Sequence, residues 1–382
     1  MDAQVEDDKL YAQIITWFFV ALMLFTTLSR VPFFSKYRIL IAAGSVAIPL
    51  LFLLKLFIKS KFRIRYGYIL LAFMIITLLY TISLFRGVPL NSVLLYYFST
   101  IYGILLLYFT FCIKNLDILY EEFVKKSLYI TIISVFILLS NRSINPYNMR
   151  FSYILSIALY FQTIELVNSK NKMLNLIFIL VDIALILVYG SRGSILCYSI
   201  FLVIYILFNN KKTFYKLLLI GGISAFYLYL DKVLQFIGYI LERFNIMSRT
   251  LSLMISNIGH TSGRDIILEK SLELIGEHPV FGLGVAGEFK YMNEYPHNIL
   301  LELFLHWGVV FGFAIFVILL FIIISSFIKA HSKNKLLLLV FISYGFVVLF
   351  FSGTYLSWDG FYILLGICLR TLVNKKVNYN EK

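Results

Sequence analysis

Apolar runs of about 20 residues, parted by short polar connections, recur along most of the chain. Their approximate bounds are 11–29, 39–58, 67–85, 92–113, 122–140, 152–168, 173–189, 193–208, 213–230, 297–327, 335–352 and 354–372. A run of that length crosses a bilayer as a helix, because a helix satisfies its own backbone hydrogen bonds where no water can. The pattern predicts an all-α, polytopic membrane protein of about twelve spans, one membrane domain over 1–382. One connection breaks the rhythm. The segment 231–296 is long but not of low complexity, and long loops in compact proteins are usually functional or disordered. Within it, "SGRDIILEKSLELIGEHP" predicts an amphipathic helix capped by Ser262. Ile267, Leu268, Leu272 and Ile275 stand near helical spacing, and Gly276 and Pro279 close the segment.

Composition agrees with that pattern. The chain is 60% hydrophobic and 14% charged, with mean hydropathy +0.88; a soluble domain is about 25% charged. The acidic start "MDAQVEDDKL" lacks the basic, apolar and small-residue regions of a cleavable signal, so the first run is expected to be a permanent span. Cys112, Cys197 and Cys368 all fall in apolar runs without metal spacing and read as small buried hydrophobes. The net charge of +14 is explained by topology and anionic lipid rather than by nucleic acid. With the N-terminus inside, the cytoplasmic segments hold 21 Lys and Arg against seven in the short outer loops. The "SKYR" loop after the first run dissents. This count predicts both termini inside and the 231–296 loop outside.

The polar residues stranded in the apolar runs are the candidates for chemistry. "VYGSRGSIL" (188–196) opens an inward-running span at the outer face. Ser191 is a candidate cap, and Gly190 and Gly193 allow a tight turn with exposed N–H groups. Arg192 beside that helix start makes an anion site; the plainer reading is a loop arginine that snorkels. "YPHNILLELFLHWGVVFG" (295–312) sets Pro296 at a first helical turn. His297 and Asn298 follow at the outer helix end, where the dipole and a nearby arginine would keep His297 neutral and able to accept a proton. Glu302 lies about one turn deeper and needs a partner or a role. The alternatives are an interfacial polar role for His297 and a packing role for the deeper His306. Arg264 heads the loop helix and either faces an anion or is solvated. "GLGVAG" (282–287) matches a dinucleotide motif, but no strand precedes it and a charged stretch then a span follow; its glycines are expected to bend the loop against the membrane surface. Asp182 is either proton-coupling or hydrogen-bonded to serines or tyrosines of neighbouring helices. Asp359 stands on the same outer side as Glu302.

The order "GSRG" turn, long outer loop with "SGRDIILEKSLELIGEHPVFGLGVAGEF", then "HNILLELFLHWGVVFG" resembles the O-antigen ligase and polymerase superfamily over 190–312. The N-terminal half matches only as a string of spans. The resemblance implies a membrane glycosyltransferase whose Arg192, Arg264 and His297 line an outer-facing cavity, with Pro279, Gly282 and Gly284 meeting the family's P-x-x-G-x-G pattern. Ser191, Gly193, Asn298 and Glu302 are the accompanying substrate-binding candidates. Implied partners are a polyprenyl-diphosphate-linked oligosaccharide as donor and as acceptor, membrane lipids and a chain-length regulator protein, in a bacterial cell membrane. The resemblance implies an inverting transfer; no cofactor is expected, and the lack of an outer D-x-D cluster predicts that the reaction is metal-independent. Compact size and the lack of a large extra outer domain favour a polymerase over a protein-directed ligase; a ligase that transfers the glycan to lipid A core is the alternative. A flippase for the same lipid-linked sugars is the alternative of another class, but no internal repeat accompanies it.

Overall fold

The computed structural model describes residues 2–28, 66–140, 148–189, 191–208 and 263–374, with isolated positions at 51, 232, 235–236, 238–239 and 243. Among these residues there is helix and turn and no strand. The runs predicted at 39–58 and 213–230, with Gly190, Ser262 and the loop before residue 263, lie outside them. Each remaining run falls on helical structure: α1 (Asp2–Leu28), α2 (Tyr66–Phe85), α3 (Leu90–Cys112), α4 (Leu116–Ser140), α5 (Met149–Asn168), α6 (Lys172–Tyr189), α7 (Arg192–Phe208), α8 (Arg264–Glu277), α9 (Ile299–Lys329), α10 (Ser332–Phe341) and α11 (Asp359–Val373). Among the described residues three stretches are long and apolar enough to cross a membrane: Leu90–Cys112, Ile299–Lys329 and Lys333–Phe350. Leu70–Phe85 and Arg192–Phe208 are shorter apolar helices. Leu71, Met74 and Leu78 on α2, and Val310, Phe321 and Ile328 on α9, stand exposed. A surface of that kind belongs in lipid or against another protein.

The chain divides into two compact units. The first comprises Met1–Ile15, Leu54–Leu119 and Thr261–Lys382. Its centre is the pair α3 and α11, with α2 packed on α3 and α9 on α11. Small residues let the backbones approach, as membrane helices require. Gly103 leaves room for the Tyr362 ring, and Gly366 for Thr110 and the Leu107 carbonyl. Buried polar groups are paired across helices. Tyr80 and Thr100 join at 2.8 Å, Thr100 donates to the Leu356 carbonyl at 3.1 Å, and Ser326 donates to the Cys368 carbonyl at 3.1 Å. Asp8 of α1 accepts from the backbone N–H groups of Lys114 and Asn115, at 3.1 and 2.9 Å, and so ties the start of the chain to the turn after α3. All three cysteines are free, with Cys197 and Cys368 buried and Cys112 half-buried.

A break in α9 organises the loop before it. Gly308 has φ 77° and ψ 170° inside the helix, a backbone that only glycine adopts without strain. The break frees carbonyls and an N–H that an apolar surrounding cannot satisfy. The loop satisfies them. Leu283 N–H donates to the Leu305 carbonyl at 2.6 Å, Gly284 N–H to the His306 carbonyl at 3.1 Å, and Val309 N–H to the Pro279 carbonyl at 2.8 Å. A Cβ on Gly282 would strike the Leu305–Gly308 backbone, and one on Gly308 would strike the Val280 carbonyl. Gly282 of "GLGVAG" therefore lets the loop close against a broken helix. The part of α9 after the break, 309–329, is roughly 30 Å long at 1.5 Å per residue, the thickness of a hydrocarbon core. The part before it is surplus to a single crossing.

The second unit comprises Thr16–Leu53 and Tyr120–His260. Its core helix is α5, buried from Phe151 to Ile164 and packed on α6 and α7. Asn148 caps it, accepting from Phe151 N–H at 3.2 Å. Asp182 is fully buried and accepts from Thr131 Oγ1 at 2.8 Å, while Gln162 Nε2 donates to the same Thr131 oxygen at 2.8 Å. Asp182 is thus hydrogen-bonded to a neighbouring helix, by a threonine instead of the serines or tyrosines expected.

Two glycine substitutions in the first unit carry opposite signs. Gly308→Ala is expected to cost at least about 1–3 kcal/mol, the usual size of backbone strain. Gly276→Ala, in α8 with open space around the added methyl, is expected to stabilise by up to about 1 kcal/mol. Thermal unfolding in detergent, with monodispersity checked by size exclusion, decides both signs.

Candidate functional site

Helix α9 begins at Ile299, two residues later than the run predicts. Asn298 is its N-cap, with Oδ1 accepting from Leu300 N–H at 3.0 Å and Leu301 N–H at 3.4 Å. Pro296 and His297 therefore precede the helix instead of forming its first turn. The acceptor atom of Asn298 is committed to the backbone, so this residue shapes the site and does not reach substrate through that oxygen.

His297 occupies the corner. Its φ is 55°, in the left-handed region that non-glycine residues adopt at a cost of about 1–3 kcal/mol. Its ring lies 4.3 Å from that of Tyr295, whose hydroxyl donates to the Ser352 carbonyl at 3.5 Å. The side chain is 14% exposed, and Nε2 faces Glu294 Oε2 at 3.8 Å. Nδ1 is buried and has no hydrogen-bond partner among the described residues. Burial first, and then the charge of Arg264, lower the pKa of His297 below the ordinary histidine value; Glu294 acts in the opposite sense. The imidazole is neutral at neutral pH and keeps a lone pair for a proton.

Arg264 is the first residue of α8 and is exposed. Gly263, left-handed at φ 82°, holds the N-cap position there, and no side chain caps the helix. Ser262, the predicted cap, lies outside the described residues. The predicted stripe of α8 is corrected. Ser271 and Leu274 are buried and Ile267 and Ile275 half-buried, with Leu274 packed on Leu283 and Leu305, whereas Leu268 and Leu272 are exposed. The structure thus couples Arg264 with His297 inside the first unit.

Arg192, Ser191 and Gly193 belong to the second unit. Arg192 opens α7 and is half-buried. Ser191 is its cap, accepting from Ser194 N–H at 3.4 Å. Gly193 sits in the first turn, where a Cβ would collide with the Tyr153 hydroxyl. Its missing side chain lets α7 close on α5, which is a packing role and not the open turn predicted.

Glu302 is fully buried, and both of its oxygens are engaged. Oε1 accepts from Thr354 Oγ1 and Oε2 from Tyr355 N–H at 3.4 Å. It fastens the 354–355 turn to α9 and does not line an open pocket. Beside it stands a pair that the sequence reading kept apart. His306 Nε2 lies 2.7 Å from Glu288 Oε2, and His306 Nδ1 lies 2.6 Å from the Tyr355 hydroxyl. Trp307 Nε1 donates to the same hydroxyl at 3.2 Å. His306 is hydrogen-bonded, as its packing reading requires. Glu288, never singled out, is fully buried. The i, i+4 spacing of Glu302 and His306 on one helix face was the signal available; nothing local marked Glu288 as their neighbour.

Compared with family models, curated proteins and solved structures, the chain matches none.

His297 can be titrated in a histidine-labelled chain by NMR, its resonance assigned by loss in His297→Gln. Arg264→Gln removes a lowering cause, so the midpoint moves up. Glu294→Gln removes a raising cause, so it moves down. Protonation begins below the ordinary histidine range in the parent, and a midpoint indifferent to Arg264 contradicts the coupling.

Proposed function

We propose that this chain is a multi-pass bacterial membrane glycosyltransferase of the O-antigen polymerase kind. On this reading it has about twelve spans, both termini in the cytoplasm and its site on the outer face. It moves a glycan from a polyprenyl diphosphate to the acceptor sugar of another lipid-linked unit. The observation that carries the reading is the neutral, strained His297 ahead of α9 under the charge of Arg264. Two of the three residues that the superfamily resemblance singles out are thereby coupled in one unit.

The chemistry follows from those groups. His297 takes the proton of the acceptor hydroxyl as its oxygen attacks the anomeric carbon. The bond from that carbon to the diphosphate oxygen breaks, with inversion, and the electron pair leaves with the polyprenyl diphosphate. Arg264 stabilises the charge that grows on the leaving group, as guanidinium does by paired hydrogen bonds. Glu302 and Asn298 hold the histidine's corner in place.

The purified chain in nanodiscs, supplied with a polyprenyl-diphosphate oligosaccharide, should lengthen the lipid-linked glycan. Transfer only to lipid A core would make it a ligase. His297→Ala is expected to slow turnover about 10²–10⁴-fold with donor binding little changed. Arg264→Lys is expected to lower turnover, since a point charge lacks the bidentate fork. Near-parent turnover in His297→Gln would reduce the histidine to a packing element and remove the mechanism.

A further inference from the structure

We propose that Glu288, Glu302 and His306 together bind one divalent cation of the Mn²⁺ or Zn²⁺ type, which staples the loop turn Gly287–Lys290 to the first part of α9. The site stands independently of the proposed transferase activity. One carboxylate oxygen from each glutamate and one imidazole nitrogen lie within 4.8 Å of one another. All three residues are buried, Glu288 and Glu302 completely. Two carboxylates removed from water need positive charge beside them. Among the described residues the one ion pair that either carboxylate makes is with His306. Glu288 Oε1, the second oxygen of a carboxylate already in the cluster, is buried without a hydrogen-bond partner among those residues.

One backbone hydrogen bond at the imidazole fits the tautomer that a metal needs. Ala286 N–H points at His306 Nε2 at 3.3 Å, so that nitrogen presents a lone pair. His306 Nδ1–H then donates to the Tyr355 hydroxyl, which also accepts from Trp307. With Nε2 unprotonated, its 2.7 Å approach to Glu288 Oε2 sets two lone pairs against each other. A positive centre between them resolves this. An ion about 2.1 Å from each is reached by both at an acute angle. The outer contacts are also those of a built site: Tyr355 orients His306, and Thr354 and the Tyr355 backbone orient Glu302. One nitrogen with carboxylate oxygens suits a borderline divalent ion.

The test uses the full chain in detergent, stripped with chelator, dialysed, and titrated with Mn²⁺ and separately with Zn²⁺. Bound metal is counted by mass spectrometry and thermal unfolding is followed in parallel. The expected result is saturation near one ion per chain with a rise in melting temperature that chelator reverses. Glu288→Gln and His306→Ala should abolish saturable binding. Tyr355→Phe should weaken it by about 10–100-fold, because it removes the ring's orienting partner and not a ligand. If the ligand variants misfold, the parent's titration and Tyr355→Phe still decide. A parent that takes up no stoichiometric ion, with melting that responds to pH alone, shows that protons hold the cluster and overturns the proposal. Saturable binding unchanged in Glu288→Gln and His306→Ala places the ion elsewhere and also overturns it.

Discussion

A helix can break in apolar surroundings only where other backbone takes up the groups it frees. The break in α9 at Gly308 meets that condition with three hydrogen bonds from the 279–284 loop and its flank. Unmade, each such bond would leave a buried backbone group unsatisfied, which costs about 1–3 kcal/mol. The loop and the break therefore require each other. Gly282 and Gly308 meet backbone to backbone, at positions where a single methyl on either would collide with the other strand of the contact. Pro279 contributes a carbonyl in the same place.

That join determines what lies around it. With 283–284 hydrogen-bonded to Leu305 and His306, the chain that follows is delivered to the turn between α2 and α3. There Ser83 donates to the Val285 carbonyl at 2.6 Å, Tyr96 stacks on Phe289 at 4.8 Å, and Lys290 donates to the Arg86 carbonyl at 3.0 Å. Glu288 is carried inward by the same path and meets His306 from the side opposite Tyr355. The buried polar cluster is thus a consequence of how the break is repaired. It accounts for charged groups at the surplus end of an apolar helix, where hydropathy alone would have set leucines.

The helical content was legible because the apolar period is strong and the runs are long. Glu302 was legible as a residue that an apolar helix has no reason to hold, and His297 and Asn298 as polar residues at the edge of an apolar run. Their roles were less so. Asn298 and His297 differ by one position, yet one caps the helix and the other stands in a left-handed corner; helix starts shift by such amounts because capping competes with continuation of the helix. The exposed and buried faces of α8 were misassigned because both carry apolar residues, and period alone cannot choose between protein and lipid as the neighbour. Gly193 was read for its backbone freedom, while its use is the space taken by Tyr153, a contact across a long sequence separation. The Glu288–His306 pair is invisible for the same reason. Its members share no helix, and only the glycine-mediated join brings them together.

The start of α9 sets the position of His297. If α9 began at His297, that side chain would lie along the helix and lean back over the preceding turn. With Asn298 bonded to Leu300 and Leu301, the helix is closed one residue beyond the histidine, and the chain must reverse just before it. Tyr295 is held on the other side of the reversal by the Ser352 carbonyl. His297 is therefore fixed by its backbone and by ring contact, which leaves Nδ1 free of the obligations that hold Glu302 and His306, while Nε2 faces Glu294. A base is useful only if its lone pair is available. At this corner the fold holds a strained backbone and a buried nitrogen with no hydrogen-bond partner among the described residues.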